Sequence, residues 1–442
     1  MRLLRHLPRF RAARAALAVM EERERWVRSD IEAFQLERLN RVWAHARGYV
    51  PYYRQLAQAH RLPDRFVSLA EYVHRMPMLD KAVVRAQPDA LLSEAAEPGG
   101  WHRTGGSTGV PMRVFWSHEA HRASLRVRYR TLDQWDLDTF DRTAFLWGHS
   151  GSIAPGWAGV KQRLRRPVED WLRNRLRLSA YRLGPADLDE HLARLARFAP
   201  TSLYGYSSAV GLLAARAHER GIRVPSLRVA LLTAEPADAA TRTAIAEAFG
   251  CNAAVEYGSV ECGNMAASDR AGALRVREDA VFLETHADAD GHEEILVTVL
   301  TNPSFPLLRY RIGDVAEGRM ARPEQGFAVL PGVRGRQNDI LVSRSGRLVH
   351  PLAVKHALEH HPAVRRFRAH QDRDGALTVA VEVAPDQPLP EATVCATLTE
   401  MLGGYPVRIE RTERLEGNRA GKHRWVISDL AAAREHSAAT AS

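Results

Sequence analysis

The stretch TSLYGYSSAVGLLAARAHERG, residues 201–221, predicts a short strand followed by a helix that ends at a glycine cap. The alternation then repeats. LRVALLTAE at 227–235 and NAAVEYGS at 252–259 are strand-like apolar runs, and ADAATRTAIAEAFG at 237–250 is typical of a helix. Strands that alternate with helices indicate a parallel sheet, whose ligands bind at the carboxyl ends of its strands. We therefore predict an α/β fold with a binding site at that edge.

The rest of the chain changes character along its length. Residues 14–48 carry apolar positions at helical spacing, and Pro51 breaks that helix. Beyond residue 270 the segments are typical of sheet with little helix, and from about residue 340 strands and helices alternate in a compact α+β unit. The last dozen residues, 431–442, are typical of a frayed tail.

Length and composition bound the class of protein. The 442 residues are 45% hydrophobic, enough for more than one domain and a large core. The cysteines Cys251, Cys262 and Cys395 are scattered, which argues against a disulfide framework and favours a reducing, cytoplasmic compartment. No apolar run approaches the roughly 18 residues of a membrane helix. The basic, amphipathic N-terminus fits a helix packed on its own domain better than one resting on an anionic membrane surface.

The formal net charge of +10 raises the question of a nucleic-acid partner. Arginine is spread along the whole chain beside many acidic residues, and neither a DNA-reading motif nor a basic run with interleaved aromatic residues is present. We therefore expect no nucleic-acid binding, and expect part of the charge to serve small anionic ligands.

The stretch RTGGSTGVP, residues 103–111, combines a bare backbone with a dense set of hydroxyl groups. Gly105, Gly106 and Gly109 permit positive φ and close approach to a ligand, and successive backbone N–H groups in such a turn form an anion site. The stretch lacks the lysine of the phosphate loop G-x-x-x-x-G-K-[ST] and does not match G-x-G-x-x-G. Taken alone, it fits a polyphosphate site and an ordinary turn equally well.

Four further motifs carry polar residues at loops and strand ends. They are EYGSVECG at 256–263, RYRIGDV at 309–315, RGRQNDI at 334–340 and EGNRAGKHR at 416–424. Each also has an ordinary interpretation, since Tyr-Gly is a common turn, Asp314 could cap a turn and Lys422 could be a surface lysine. The order and separation of the whole set favour one shared site.

That set resembles the signatures of the adenylate-forming superfamily, which includes acyl-CoA synthetases, luciferases and peptide-synthetase adenylation domains. TGGSTGVP is similar to [ST]-[SG]-G-[ST]-T-G-x-P, YGSVE to Y-G-x-[TS]-E, and YRIGD to Y-x-T-G-D with isoleucine for threonine. In YGSVE, valine stands in the hydroxyl position of its motif. GRQNDILVSRSGRLVHP is similar to the hinge region, and AGKHR to the S-G-K-x-x-R element. VPYYRQL, MPMLDK and TNPSFPLLRYRIGDV resemble the phenylacetate–CoA ligase branch, which also contains proteins assigned to capsular polysaccharide biosynthesis.

The resemblance, which runs from about residue 45 to 430, implies a two-domain organisation. Residues 1–335 are expected to form a large, multi-subdomain α/β domain with parallel sheets and a distorted β-barrel-like part. Residues 340–430 are expected to form a small α+β lid domain. The hinge is expected at 336–339, around Asn338 and Asp339, and residues 431–442 form the flexible tail.

The resemblance also implies roles for individual residues. Lys422, Thr108 and Glu261 are the implied catalytic residues, and Glu261 is also the implied ligand of Mg²⁺. Tyr257 is expected to lie against adenine, and Asp314 to accept hydrogen bonds from both ribose hydroxyls. The full set of implied nucleotide-binding residues is Thr104, Gly105, Gly106, Ser107, Thr108, Gly109, Glu256, Tyr257, Gly258, Ser259, Asp314 and Arg336.

The acyl pocket is expected around LWGHSG and LYGYSS, through His149, Tyr204 and Tyr206. We favour a pocket wall over a catalytic base for His149, and the tyrosines could also be ordinary core residues. Many relatives carry a Cys/His cluster after the Tyr-Gly motif. Here Cys262 is followed by LRVRED where a histidine is often seen, so we expect no zinc site.

The implied activity is ATP-dependent activation of a carboxylic acid as an acyl-adenylate, with Mg²⁺, followed by transfer to coenzyme A. The acceptor could instead be an amine, a hydroxyl, such as that of a sugar, or a carrier protein in polysaccharide or natural-product biosynthesis. A third alternative is a catalytically silent scaffold that binds nucleotide only, which the presence of Lys422, Asp314 and Glu261 argues against. A homodimer remains open.

Overall fold

The fold is taken from a computed structural model, which describes most of the chain. The described residues are 8–104, 112–138, 140–148, 167–180, 183, 185–235, 237, 239–287, 293–334, 341–349, 351–359, 361, 363–383, 388–412, 415 and 426–430.

Helices whose two ends are both described are α1 (Pro8–Arg23), α2 (Arg28–Tyr49), α3 (Pro51–Ala59), α4 (Leu69–Arg75), α5 (Lys81–Ala86), α6 (His118–Asp133), α7 (Pro185–Phe198), α8 (Ser207–Glu219), α9 (Ala239–Phe249), α10 (Leu352–Glu359) and α11 (Glu391–Met401).

Strands run throughout the chain. They are β1 (Gly99–Thr104), β2 (Met112–Ser117), β3 (Thr143–Trp147), β4 (Arg175–Ser179), β5 (Ser202–Tyr206), β6 (Val229–Thr233), β7 (Asn252–Ser259), β8 (Gly263–Ser268), β9 (Leu274–Val276), β10 (Val281–Ala287), β11 (Glu293–Val299), β12 (Tyr310–Ala316), β13 (Val329–Leu330), β14 (Val333–Arg334), β15 (Leu341–Val342), β16 (Leu348–Val349), β17 (Val364–Gln371), β18 (Leu377–Val383), β19 (Val407–Thr412) and β20 (Val426–Ser428).

The contacts divide the chain into two compact units. The first unit comprises residues 1–104, 112–140 and 254–335, and the second comprises 105–111, 141–253 and 336–442. The predicted limits of a large domain, a hinge and a small domain stay a prediction.

The second unit contains the predicted parallel sheet. Its strands β4, β3, β5 and β6 lie side by side in that order, and each neighbouring pair is parallel. Leu146 and Leu203 on one face of these strands pack with Leu192, Leu213 and Phe249 from the helices α7, α8 and α9. Apolar residues on both strand and helix thus bury one continuous core, and the predicted α/β class is confirmed.

The C-terminal part of the second unit has a core of its own. Its strands are ordered β19, β18, β17 and β20, with one antiparallel pair and two parallel ones. Val379 and Val381 of the sheet pack with Val354 of α10 and Leu398 of α11. This is the α+β unit that the sequence beyond residue 340 predicts.

The first unit is built from helices and antiparallel strands. One sheet has the order β10, β11, β12 and β14, and β7, β8, β9 and β13 form a second antiparallel run. Trp43, Tyr53 and Tyr72 from the N-terminal helices share a core with Val297 of β11 and Tyr310 of β12. The sheet-rich character predicted beyond residue 270 is confirmed.

The prediction of one helix over 14–48 is wrong at residues 24–27. The chain leaves α1 after Arg23 and starts α2 at Arg28. Between them, Val27 pairs with Gln325, and the backbone N–H of Arg28 donates to the carbonyl of Glu324 at 2.7 Å. The Arg28 guanidinium also makes two hydrogen bonds of 2.8 Å to Glu278, whose side chain is buried. These long-range contacts outweigh the local helical periodicity.

Helix α3 begins at a proline. Val50 is extended and Pro51 occupies the first turn of α3, so the predicted break at Pro51 is confirmed. At the other end of this region, Met20 of α1 packs against Val127 and Ala280, which fits a helix packed on its own domain. None of the described helices combines the length and apolar character needed to cross a bilayer.

Candidate nucleotide site

The base of the glycine-rich loop is an antiparallel hairpin. β1 pairs with β2 from Gly99↔Ser117 to Thr104↔Met112, so both ends of residues 105–111 start from one pair of neighbouring positions. The side chain of Thr104 and the loop residues Gly105, Gly106, Ser107, Thr108 and Gly109 lie outside what the structure describes. Their predicted phosphate contacts stay predictions.

The motif EYGS forms the end of β7 and its turn into β8. The pairing register shifts between Tyr257 and Gly258, which is a β-bulge. A Cβ atom on Gly258 would lie 2.6 Å from the Gly263 carbonyl oxygen, so the close approach of the two strands requires glycine here. Ser259 closes the turn, because its Oγ accepts a 3.0 Å hydrogen bond from the backbone N–H of Cys262. Glu261 is thereby held within a tight turn.

Asp314 is carried on a second bulge, in β12. Between the pairs Glu294↔Val315 and Leu296↔Arg311, β11 advances by two residues while β12 advances by four. The extra residues include Gly313, whose φ of +83° is a conformation that favours glycine. The bulge explains how a Gly-Asp pair is accommodated inside β12.

Tyr257 and Asp314, each of which lies beside a bulge, contact each other. The Tyr257 hydroxyl donates a 3.0 Å hydrogen bond to Oδ2 of Asp314. Burial, and after it the negative charge of Asp314, raise the pKa of Tyr257 well above its usual value, so this phenol is neutral and remains a donor. Two residues predicted to contact adenine and ribose are thus neighbours.

Glu261 contacts a lysine and a tyrosine, and the tyrosine in turn contacts the end of the β1–β2 hairpin. Lys81 Nζ is 3.2 Å from Glu261 Oε1, and the Tyr310 hydroxyl is 3.4 Å from the same oxygen. Tyr310 also lies 3.8 Å from Sδ of Met112, the first residue of β2. Burial and the charge of Glu261 raise the pKa of Tyr310, which therefore stays protonated. Glu261 is in this way connected to the base of the glycine-rich loop.

The Glu261 carboxylate fits the chemistry of a magnesium ligand. Its side chain is 6% exposed, and both of its hydrogen bonds from described residues reach the same oxygen, Oε1. The other oxygen is not engaged by any described residue, and a hard cation prefers such carboxylate oxygens together with those of phosphate. Glu261 thus has the chemistry expected of a Mg²⁺ ligand, and that role stays a prediction.

Glu256 and the arginines of RYRIGDV are fixed by protein contacts. Asn264 Nδ2 donates to Glu256 Oε1 at 2.6 Å. Arg309, with φ of +45°, makes a buried ion pair with Glu284 at 2.9 Å and donates to two backbone carbonyls. Arg311 pairs with Glu294 at 2.9 Å. These two guanidinium groups hold the first unit together, and Asp314 is the residue of this motif that faces Tyr257.

The predicted acyl-pocket tyrosines lie in the second unit. Tyr204 and Tyr206 are on β5, on the same face as Trp147 of β3. The ring of Trp147 stacks on Tyr206 with 4.2 Å between centroids, and on Tyr204 with 5.6 Å. Tyr206 is 2% exposed, so part of this aromatic group is core, while Tyr204 and Trp147 are half-buried.

Five more of the predicted residues fall in segments outside the described part of the chain. They are His149, Arg336, Asn338, Asp339 and Lys422. Conversely, sequence reasoning did not single out Lys81 or Trp147. Lys81 ends the stretch MPMLDK, and Trp147 belongs to LWGHSG. Both stretches carry a predicted motif, but the contacts of Lys81 with Glu261 and of Trp147 with Tyr206 follow only from the structure.

The fold is that of the adenylate-forming ligases. A solved structure of 2-hydroxyisobutyryl-CoA ligase, in complex with 2-HIB-AMP and CoA in the thioesterification state, superimposes with a TM-score of 0.61 at 18% identity. The match covers 95% of this chain and 94% of that one. The same ligase in the postadenylation state with 2-HIB-AMP gives a TM-score of 0.57 at 19% identity.

Curated relatives fall in the branch that the sequence resembles. The chain is 23% identical to Protein CapK of Staphylococcus aureus, over 73% of this chain and 71% of that protein. It is 24% identical to phenylacetate–coenzyme A ligase of Aromatoleum evansii, over 83% of this chain and 85% of that enzyme. No family model matches the chain. The predicted resemblance and enzyme class are confirmed by these relatives.

Proposed function

We propose that this protein activates a carboxylic acid as an acyl-adenylate and transfers the acyl group to coenzyme A. The observation that carries the proposal is the convergence of Tyr257, Asp314 and Glu261 from two bulged strands and a tight turn. These are the residue types that a nucleotide with its cation requires, beside the base of a glycine-rich hairpin. The phenylacetate–coenzyme A ligases among the relatives support the same activity.

The reaction takes place in two steps. In the first, a carboxylate oxygen attacks the α-phosphorus of ATP. The bond between the α-phosphorus and the oxygen that bridges it to the β-phosphorus breaks, and pyrophosphate leaves. In the second, the thiol sulfur attacks the acyl carbon and loses its proton, and AMP leaves. The first step brings two anions together, so it needs positive charge and hydrogen-bond donors placed in advance around the phosphorus.

Each residue has one task in this scheme. Tyr257 lies against the adenine, and Asp314 accepts hydrogen bonds from the ribose hydroxyls. The loop that contains Thr108 donates to the phosphates, and Arg336 reaches the ribose or phosphate. Glu261 would hold Mg²⁺, which would offset the charge of the phosphates when bound. Lys422 would bridge the incoming carboxylate and the α-phosphate.

We further propose the domain motion that these roles require. Lys422 belongs to the small domain, residues 340–430, while Asp314 and the glycine-rich loop belong to the large one. The link 336–339 would then let the small domain close for adenylation and reorient for transfer. His149, Tyr204 and Tyr206 would line the acyl pocket, and the use of ATP and coenzyme A leads us to expect a cytoplasmic protein.

A second candidate differs in the acceptor. The match to Protein CapK, over most of both chains, supports a role in polysaccharide biosynthesis, where the acyl-adenylate would be passed to an amine, a hydroxyl or a carrier. Both candidates share the first step and differ in the second.

The test is acid-dependent ATP–pyrophosphate exchange with Mg²⁺, over a panel of aromatic and aliphatic acids. We expect at least one acid to support exchange, and mass analysis with and without coenzyme A to identify the acceptor. A thioester that forms only with coenzyme A supports the first candidate, and AMP release without a thioester supports the second. If no acid in the panel supports exchange or AMP release, the proposal fails.

A further inference from the structure

We propose that Lys81 is a positioning residue of this site. In the absence of ligand it holds the Glu261 carboxylate, and it competes with a divalent cation for that carboxylate. The inference rests on the proposed function, because it takes the ligand to be ATP with a divalent cation. It assigns a role to a lysine that lies far from the glycine-rich loop in sequence.

The contacts of Lys81 define the pair. Its ammonium nitrogen lies 3.2 Å from Glu261 Oε1 and 3.3 Å from the carbonyl oxygen of Ile312. The Lys81 side chain is 22% exposed and that of Glu261 is 6% exposed, so the pair lies where solvent screens it only partly. The ammonium therefore neutralises a carboxylate that would otherwise be buried alone, which is the costly situation for a charge.

Lys81 is placed by backbone pairing rather than by the reach of its side chain alone. Leu79 bridges to Tyr310, with its N–H donating to the Arg309 carbonyl and its carbonyl accepting from Arg311 N–H, both at 3.0 Å. Helix α5 then begins at Lys81. The start of α5 is thus tied to the strand that carries the Asp314 bulge, so Lys81, Ile312 and Glu261 keep one geometry.

Position 81 carries a lysine in a chain whose basic residues are almost all arginine. Only four of its 62 lysine and arginine residues are lysine, at positions 81, 161, 355 and 422. A guanidinium favours two-pronged, fixed ion pairs, whereas an ammonium is a compact point charge on a flexible stem. A lysine ammonium is therefore easier to displace by a metal ion than an arginine guanidinium, which suits a carboxylate that has to exchange one for the other.

This arrangement couples the lysine to the metal. Both the ammonium and a divalent cation are attracted to one carboxylate, so the presence of each lowers the affinity for the other. Without Lys81, Glu261 would face the phosphates uncompensated, and metal-free ATP would bind more weakly. Metal would then restore more affinity than it does in the wild type.

The experiment is calorimetric titration of ATP into the full chain, without acid, in EDTA and in saturating MgCl₂. The ratio of the two affinities is the magnesium enhancement. For Lys81→Met we expect weaker binding in EDTA and a magnesium enhancement raised by about tenfold, in the usual range of coupling between sites. In a Glu261→Gln background, the same substitution should leave the enhancement unchanged within about twofold, because the shared carboxylate is gone.

Two matched variants separate this role from a purely structural one. Lys81→Arg keeps the charge and should rescue most of the affinity in EDTA. Arg54→Met removes one positive charge from the exposed pair with Glu94 and should not change the enhancement. If Lys81→Met fails to fold, as judged by thermal unfolding, Lys81→Gln and Lys81→Arg provide the same comparison.

The outcomes are distinguishable. If the wild type binds no ATP in either buffer, the proposed function fails, and the role of Lys81 with it. If the wild type binds ATP but the Lys81 variants weaken binding equally with and without Mg²⁺, Lys81 has only a general structural or electrostatic effect and the inference alone is wrong. An increase in enhancement that persists in the Glu261→Gln background also overturns it.

Discussion

At the scale of single residues, Asp314 shows how local backbone geometry presents a carboxylate that is predicted to bind nucleotide. It lies in β12, where Gly313 permits the bulge beside its carboxylate, and that carboxylate accepts a hydrogen bond from the Tyr257 hydroxyl. The sequence identifies Asp314 through its likeness to a Tyr-x-Thr-Gly-Asp motif. The partner Tyr257, 57 positions away, follows only from the tertiary structure.

We expect Asp314→Ala to weaken ATP binding by roughly 10²–10⁴-fold, about 3–6 kcal/mol for two hydrogen bonds, while the fold is retained. The reason is that charge-assisted hydrogen bonds to the ribose hydroxyls are each worth about 1.5–3 kcal/mol. Calorimetric titration with Mg²⁺–ATP measures the loss. Asp89→Ala, which removes an exposed carboxylate paired with Arg113, is the matched control and should bind ATP normally. An unchanged ATP affinity in Asp314→Ala would remove this residue from the site.

At the scale of elements, the position of Glu261 is set by the β7–β8 hairpin, because Glu261 lies in the turn between these strands. Gly258 allows the two strands to approach, and Gly263 adopts φ of +75° just after the turn. The sequence predicts β7 correctly as a strand. The pairing with β8, and the register shift that creates the bulge, depend on which strand lies beside it, and local periodicity carries no information on that.

Gly258→Ala should destabilise the protein by about 1–3 kcal/mol, because the new Cβ would meet backbone atoms that cannot move aside freely. Denaturant unfolding measures the change. Gly48→Ala, within α2, is the control: nothing lies within 4 Å of its Cβ, so it should be neutral or stabilise by up to about 1 kcal/mol. Equal effects of the two substitutions would show that the close approach of the strands is not required.

At the scale of the whole molecule, the proposed chemistry needs two orientations of a small domain. The C-terminal sheet has its own hydrophobic core, separate from that of the parallel sheet. A part of the chain with its own core can move as a body, which is the physical requirement for a lid. In the proposed mechanism, Lys422 is the residue whose effect would depend on that motion.

Lys422→Ala should bind ATP normally, yet its adenylation rate should fall by roughly 10²–10³, the usual loss on removing one pre-placed electrostatic partner. Transfer from a preformed acyl-adenylate should be nearly unchanged, because that step uses the other orientation. The two rates are compared by supplying either free acid with ATP or synthetic acyl-adenylate, each with the acceptor. If Lys422 is an ordinary surface lysine, neither rate changes. If both rates fall equally, the two-orientation mechanism is wrong for this protein.

The sequence by itself determined the alternation of strands and helices in 201–259 and the motifs that contain Tyr257, Glu261 and Asp314. Periodicity and glycine positions are local properties, so they can be read without knowing the neighbours. Only the tertiary structure decided that the helix over 14–48 breaks at Val27 and that Lys81 meets Glu261 across 180 positions. Both depend on backbone hydrogen bonds between distant segments, whose formation is set by the packing of the whole unit rather than by the residues on either side.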